Sequence, residues 1–110
     1  MFFRTTRIFK EAQYLLEKGD ILIAQLPTGY GFLADQLRRA STSIILNFAE
    51  GNGKNGLKER QRFFRIAKGS LYEVAAIYDV ALSAGLIEKP FHEKVLDRCD
   101  YIAAMLSKWR

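Results

Sequence analysis

Apolar residues recur every three or four positions in four segments of this 110-residue chain, and no segment of comparable length alternates apolar with polar residues. This spacing places the apolar side chains on one face of an α-helix. We therefore predict four helices, from the start to about residue 26, then over about 32–51, about 57–84 and from about 90 onward. Their core faces comprise, in chain order, Ile8, Ala12, Leu15, Leu22, Leu26; Leu33, Leu37, Ala40, Ile44, Phe48; Phe63, Phe64, Ala67, Leu71, Val74, Tyr78, Ala81; and Val95, Cys99, Ile102, Leu106, Trp109.

The connections between these helices are short, with Gly85 as an expected C-terminal cap of the third helix and Pro90 in the first turn of the fourth. Helices joined by short loops pack as antiparallel neighbours. The predicted fold is all-α, an antiparallel up-down-up-down four-helix bundle that forms one domain over residues 1–110. Leu46 projects away from the core of the second helix, and a helix apolar on more than one side is usually buried on more than one side. We therefore expect a homo-oligomer.

Basic residues are concentrated in the middle of the chain. The net charge is +5, yet residues 38–68 alone hold eight Lys and Arg against Glu50 and Glu59, a local charge of +6. Such clustering is typical of a binding surface. The chain shows no membrane-spanning apolar run and no secretory signal, so we expect a cytoplasmic protein without a membrane partner. Cys99 is the only cysteine, which excludes an intrachain disulfide and a four-cysteine zinc site, and we expect it in the core.

The glycine-rich stretch "GNGKNG", residues 51–56, has the glycine spacing of a P-loop. A P-loop also needs Lys and then Ser or Thr after its last glycine, and here Leu57 and Lys58 follow. We interpret the stretch as a turn between two helices. Gly51 is expected to end the second helix in the left-handed conformation, and Asn55 or Gly56 to cap the third.

The sequence offers no convincing catalytic set. His92, the only histidine, is expected to be exposed at the start of the fourth helix, and Cys99 lies about 10 Å further along, too far for direct activation. Glu50 and Glu73 could form a glycosidase-like pair if a substrate cleft existed. The alternative is structural, with both as partly buried carboxylates paired with arginine or a backbone amide, beside Asn47 on the polar flank of the second helix. We expect no enzyme activity, no metal site and no cofactor.

Two segments, "QLRRASTSIILNFAEGNGK" and "KERQRFFRIAKGSLYEV", carry a family pattern. The matching positions are Gln36 to Ala40, Ser43, Ile44, Asn47, Ala49 to Gly51, Lys58, Glu59, Arg62, Phe63, Arg65 to Ala67, Gly69, Ser70 and Glu73. In these positions the chain resembles the small four-helix-bundle proteins encoded in intervening sequences of bacterial 23S rRNA genes. It departs from their pattern at Gly56, where Ser or Thr is usual, at Arg60, where an apolar residue is common, and in its opening "MFFRTTRIF".

The resemblance implies a ring-like homopentamer, and it implies little about activity, which is largely undefined across the family. A related branch comprises the accessory proteins of diversity-generating retroelements. Those proteins are basic and pentameric, and they associate with a reverse transcriptase and with nucleic acid.

Two functional hypotheses follow. Lys58, Arg62 and Arg65 line one face of the third helix, which favours binding to nucleic-acid phosphates, while Tyr72 could stack on an unpaired base or contact another subunit. The full predicted set is Arg38, Arg39, Lys54, Lys58, Arg62, Arg65, Lys68 and Tyr72. The alternative is a protein-interaction scaffold or accessory subunit of a nucleic-acid enzyme such as a reverse transcriptase, since Arg and Tyr are also favoured at protein interfaces.

Overall fold

The computed structural model describes residues 1–110 and consists of four α-helices and no strand, preceded by one short 3₁₀ helix, Phe2–Thr5. The α-helices are α1 (Arg7–Gln25), α2 (Gly31–Asn52), α3 (Leu57–Ser83) and α4 (Lys89–Lys108). The prediction of an all-α chain with four helices is confirmed, and the boundaries lie close to the expected ones except that α1 begins at Arg7 and not at the start of the chain. None of the four helices combines the length and the hydropathy that crossing a bilayer would need.

Local hydrogen bonds define where several helices begin and end. The Thr6 side chain accepts a hydrogen bond from the backbone N–H of Phe9 and so caps the start of α1. At the end of α3, Gly85 adopts a positive φ of 73°, and the N–H of Leu86 reaches the carbonyl of Ala81. This is a Schellman motif, which confirms the predicted role of Gly85. Pro90 lies in the first turn of α4, also as expected.

All four helices contribute to one cluster of 20 buried apolar residues. α2 packs against α3, α3 against α4, and α1 against both α2 and α4. The predicted core residues lie in this cluster except Leu26, Phe63 and Trp109, which are only half-buried. Leu26 follows the last residue of α1 in extended conformation, and the Phe63 ring lies at the core's margin against the cations of Lys54 and Arg62.

Gly51 does not end α2, and the expectation of a left-handed conformation was wrong. The residue is helical and buried, α2 continues to Asn52, and the only positive φ angles belong to Gly29 and Gly85. A Cβ atom built on Gly51 would lie 2.5 Å from Cε1 of Phe64. Glycine is therefore needed here because α2 and α3 approach closely, and not because the chain turns.

A buried carboxylate that the apolar spacing did not reveal ties α1 to α4. Glu11 is 8% exposed, and Nη1 of Arg98 lies 3.2 and 3.1 Å from its two oxygens. Arg7, one turn earlier on α1, donates a further bond of 3.3 Å to Oε1. A buried carboxylate needs such partners because its charge is costly in an apolar environment.

Cys99 is a core residue, as predicted, and its burial raises the pKa of the thiol to about 12. Only the thiolate attacks disulfide reagents, and at pH 8 this pKa leaves roughly a thousandfold less thiolate than in the unfolded chain. We expect an aromatic disulfide reagent to modify Cys99 slowly in the native protein and rapidly in urea. Equally fast modification without denaturant would show that α4 opens readily.

Candidate nucleic-acid interface

The predicted basic residues of α3 lie on its solvent-facing side, but their local environments differ. Lys58 and Arg65 are exposed, and neither makes an ion pair or a side-chain hydrogen bond. Arg62 instead pairs with Glu59, with 3.0 Å between Nη2 and Oε1, and its guanidinium lies 4.4 Å from the ring centre of Phe63. The hydrogen bond between this pair lowers the pKa of Glu59. Arg62 thus has an acidic partner within the fold, whereas Lys58 and Arg65 have none.

Lys54, in the turn before α3, also has an acidic partner. Its ammonium lies 3.2 Å from Oε2 of Glu50 and 5.4 Å from the ring centre of Phe63. The structure therefore brings Lys54 and Arg62 together at one aromatic ring. Glu50 is about half-exposed and pairs with this lysine, and no arginine or backbone amide binds it.

The two arginines of α2 have separate environments. Arg39 donates hydrogen bonds to Glu73 of α3 and, at 2.6 Å, to Oε1 of Gln36. Arg38 is exposed, makes no ion pair or side-chain hydrogen bond, and lines an open depression on α2 that also includes Asp35 and Leu46. No contact joins Arg38 to the cations of α3.

Asn47 and two serines form a polar contact between α2 and α3. The Asn47 side-chain amide donates to both the carbonyl and the hydroxyl of Ser43, each at 2.9 Å. The Ser70 hydroxyl of α3 donates to the hydroxyl oxygen of Ser43 at 2.7 Å. These three residues hydrogen-bond to one another, which indicates a structural role.

Lys68 and Tyr72 lie further along α3, on the side facing α4. The Lys68 ammonium donates a 2.6 Å hydrogen bond to the hydroxyl of Ser107 and lies 5.9 Å from the ring centre of Tyr72. The Tyr72 ring is 58% exposed and available for a ligand.

Arg60 belongs to the basic segment by sequence but serves the fold. Its guanidinium donates to the carbonyls of Asn52 and Lys54 at 3.0 and 3.1 Å and to the carbonyl of Arg110 at 2.8 Å. It therefore joins the turn after α2 to the last residue of the chain. The sequence does contain a signal for this structural role. Arg60 precedes Phe64 by four residues, which places it on the core side of α3.

His92 is not exposed, so the sequence expectation was wrong. Its side chain is 16% exposed, and Nε2 lies 2.7 Å from Oδ1 of Asp79 on α3. Helical spacing within α4 could not reveal this partner, because Asp79 lies on α3. No group of three or more His, Cys, Asp or Glu side chains is close enough together to hold a metal ion.

The family model described as 23S rRNA-intervening sequence protein matches residues 4–108. The chain belongs to this family. Its fold is similar to that of a crystal structure of a protein with unknown function from the S23 ribosomal protein family of Bacteroides thetaiotaomicron VPI-5482, with a TM-score of 0.81. The two share 16% sequence identity over 90% of this chain and 94% of that chain, a likeness that concerns the fold alone. No curated protein matches the sequence.

In this member of the 23S rRNA-intervening sequence protein family, several residues of the quoted pattern meet at the contact between α2 and α3. Arg39 binds Glu73, Ser70 binds Ser43, and Gly51 faces a core aromatic ring. These positions of the quoted pattern therefore serve the packing of α2 against α3. This explains why the same residues indicate the fold clearly and the function poorly.

Proposed function

We propose that this protein is a non-catalytic, cytoplasmic homo-oligomer that binds the sugar-phosphate backbone of RNA or DNA through the basic face of α3. One observation carries the proposal: Lys58 and Arg65 are exposed on one helix face with no acidic partner. Cations that are not neutralised within the fold are available to displace the counterions of a phosphate backbone. Arg62, between them in sequence, can exchange Glu59 for a phosphate.

The other predicted residues of α2 and of the turn before α3 would contribute to binding to different degrees. Arg38 adds an unpaired cation from α2, and Lys54 adds one shared with Glu50. Arg39 is held by Glu73, so we assign it a minor part. Binding through such a set is dominated by phosphate contacts and therefore has little base selectivity.

We further propose that residues 1–110 form one antiparallel up-down-up-down bundle. The paired residues support this order, because Arg39 meets Glu73 while Ser43, later on α2, meets Ser70, earlier on α3. α3 and α4 are antiparallel by the same criterion, because Lys68 meets Ser107 while Asp79, later on α3, meets His92, earlier on α4.

Self-association is supported by apolar side chains left exposed on α2 and α3. Leu46, Ile66 and Val80 are each more than two-fifths exposed, and exposed apolar side chains of this size are common at subunit contacts. The family resemblance favours a pentamer. Several modest basic faces on one assembly would act multivalently and raise the overall affinity.

The proposal is tested by fluorescence anisotropy of a labelled structured RNA at several salt concentrations. We expect the logarithm of the affinity to fall linearly with the logarithm of salt, with a slope of roughly three to five if four or five phosphates are neutralised. Absence of binding at about 50 mM salt would contradict the proposed function.

The Arg62→Glu/Arg65→Glu variant should bind this RNA roughly ten- to hundredfold more weakly, because two phosphate contacts become repulsive. Its helicity and its assembly should be unchanged, since both side chains are exposed. Lys10→Glu/Lys94→Glu is a matched control, with the same charge change on exposed positions of α1 and α4. Equal loss in both variants would mean that net charge matters and the α3 face does not.

An accessory or scaffold role is the second candidate. Its support is the exposure of two apolar side chains on α2, Leu46 at 61% and Phe32 at 62%. In that case the protein would bind a neighbouring gene product tightly, with weak dependence on salt, and RNA binding would be absent or unspecific.

A further inference from the structure

A cleft of about 280 Å³ lies between α3 and the end of α4. Its lining combines three cations with apolar side chains and contains no acidic residue. The lining residues are Gln61, Phe64, Arg65, Lys68, Leu106, Ser107, Trp109 and Arg110. Side chains that donate hydrogen bonds, with no carboxylate among them, suit an oxyanion ligand.

Lys68 is held at this cleft by α4. Its ammonium donates to the Ser107 hydroxyl oxygen at 2.6 Å, and that hydroxyl in turn donates to the carbonyl of Ala103 at 3.0 Å. Because an ammonium has three N–H donors, two remain for a ligand. Arg65 has no side-chain partner at all, so its five donors are unoccupied.

We propose that this cleft binds one phosphate group of a single-stranded nucleic acid, with Arg65 and Lys68 as its charged donors and Gln61 as a neutral one. The inference rests on the nucleic-acid binding proposed above and adds a defined site and a strand type. Arg65 belongs both to the cleft and to the basic face of α3, so a backbone that passes Lys58 and Arg62 would continue directly into it.

The neighbouring aromatic residue selects the single strand. Tyr72 follows Lys68 by one helical turn, its ring is exposed, and the Lys68 ammonium lies 5.9 Å from the ring centre. An exposed ring beside a phosphate site can stack on an unpaired base, and the bases of a duplex are not available for this contact.

Trp109 makes the cleft directly observable, because it lines the cleft and is the only tryptophan in the chain. The test titrates the protein with an unlabelled single-stranded oligonucleotide and records tryptophan emission, while a labelled copy reports total binding by anisotropy. We expect wild-type emission to change along the same isotherm as the anisotropy. Inorganic phosphate, a separate probe, should change the emission only at much higher concentration.

Two variants with the same loss of charge separate the cleft from the rest of the face. Lys68→Gln should lower affinity roughly tenfold, through loss of a charge-assisted hydrogen bond, and should remove the emission change. Lys58→Gln, which lies outside the cleft, should lower affinity by less and leave the emission change at saturation intact. Both side chains lie at the surface, and circular dichroism checks that both variants fold.

Tyr72 is tested by two further variants. Tyr72→Leu should lower single-strand affinity roughly tenfold, whereas Tyr72→Phe, which retains the ring, should not. Equal binding of a duplex and a single strand by the wild type would overturn the assignment to a single strand.

The outcomes distinguish this inference from the function on which it rests. The cleft is overturned if anisotropy shows binding while tryptophan emission stays constant and Lys68→Gln and Lys58→Gln lose the same affinity. In that case the proposed binding by the basic face of α3 still holds. No oligonucleotide binding at about 50 mM salt overturns both. An emission change with inorganic phosphate but no oligonucleotide binding overturns nucleic acid as the ligand.

Discussion

The Gly51→Ala variant is expected to lose about 2–3 kcal/mol of unfolding free energy. The added Cβ would lie 2.5 and 2.8 Å from two ring atoms of Phe64 and 3.1 Å from the carbonyl oxygen of Arg60. The ring cannot move aside easily, because Phe64 is 3% exposed and packs against Phe48. α2 and α3 must therefore separate, which disturbs their contact near the turn that joins them.

Gly69→Ala is the matched control, since Gly69 is also helical but has nothing within 4 Å of the added Cβ. Alanine favours the helix there, so this variant should gain up to about 1 kcal/mol. Urea denaturation of both variants measures the contrast. Adding Phe64→Leu to Gly51→Ala should recover part of the loss in a double-mutant cycle. If Gly51→Ala is as stable as Gly69→Ala, the close approach of the two helices is wrong.

Arg60→Ala is expected to lose about 2 kcal/mol of unfolding free energy, although Arg60 lies within the segment that holds most of the predicted nucleic-acid contacts. Its guanidinium satisfies the carbonyls of Asn52 and Lys54 after α2 and that of Arg110 after α4. Removing it leaves these acceptors without their partner and exposes the face of Phe64, over which the guanidinium lies at 5.7 Å.

Arg65→Ala is the comparison for Arg60→Ala, because Arg65 is exposed and makes no intramolecular ion pair. We expect its stability to change by less than about 0.5 kcal/mol while its RNA affinity falls. Thermal and urea unfolding measure the first quantity, and anisotropy under native conditions the second. The reverse result, a stable Arg60→Ala that binds RNA poorly, would move Arg60 into the interface.

The four helices and most of the core could be predicted because the period of apolar residues reports which face of each helix is buried. Contacts between helices could not be predicted in this way. His92 appeared exposed until α3 supplied Asp79, and Glu11 is buried because Arg98, 87 residues away, reaches it. Gly51 was predicted to end α2 because glycine often follows the last residue of a helix. The structure instead requires glycine at this position because the Phe64 ring lies so close to it.

The candidate site could likewise be predicted from the sequence only in part. Charge clustering identified the cations, but sequence alone could not separate the unpaired Lys58 and Arg65 from Arg62, which pairs with Glu59. The cleft beside α4 was not foreseen, because Gln61 and Ser107 carry no charge and are far apart in sequence.

The polar contacts between α2 and α3 also determine the register of this helix pair. The hydrophobic effect is non-directional, so burial alone discriminates only weakly against a slip of one helical turn, about 5.4 Å. Hydrogen bonds are directional, so such a slip would break the pairs of Arg39 with Glu73 and of Ser43 with Ser70 at once. We therefore expect α2 and α3 to move as one rigid unit, and any breathing motion of the molecule to occur by displacement of α1 or α4 from it.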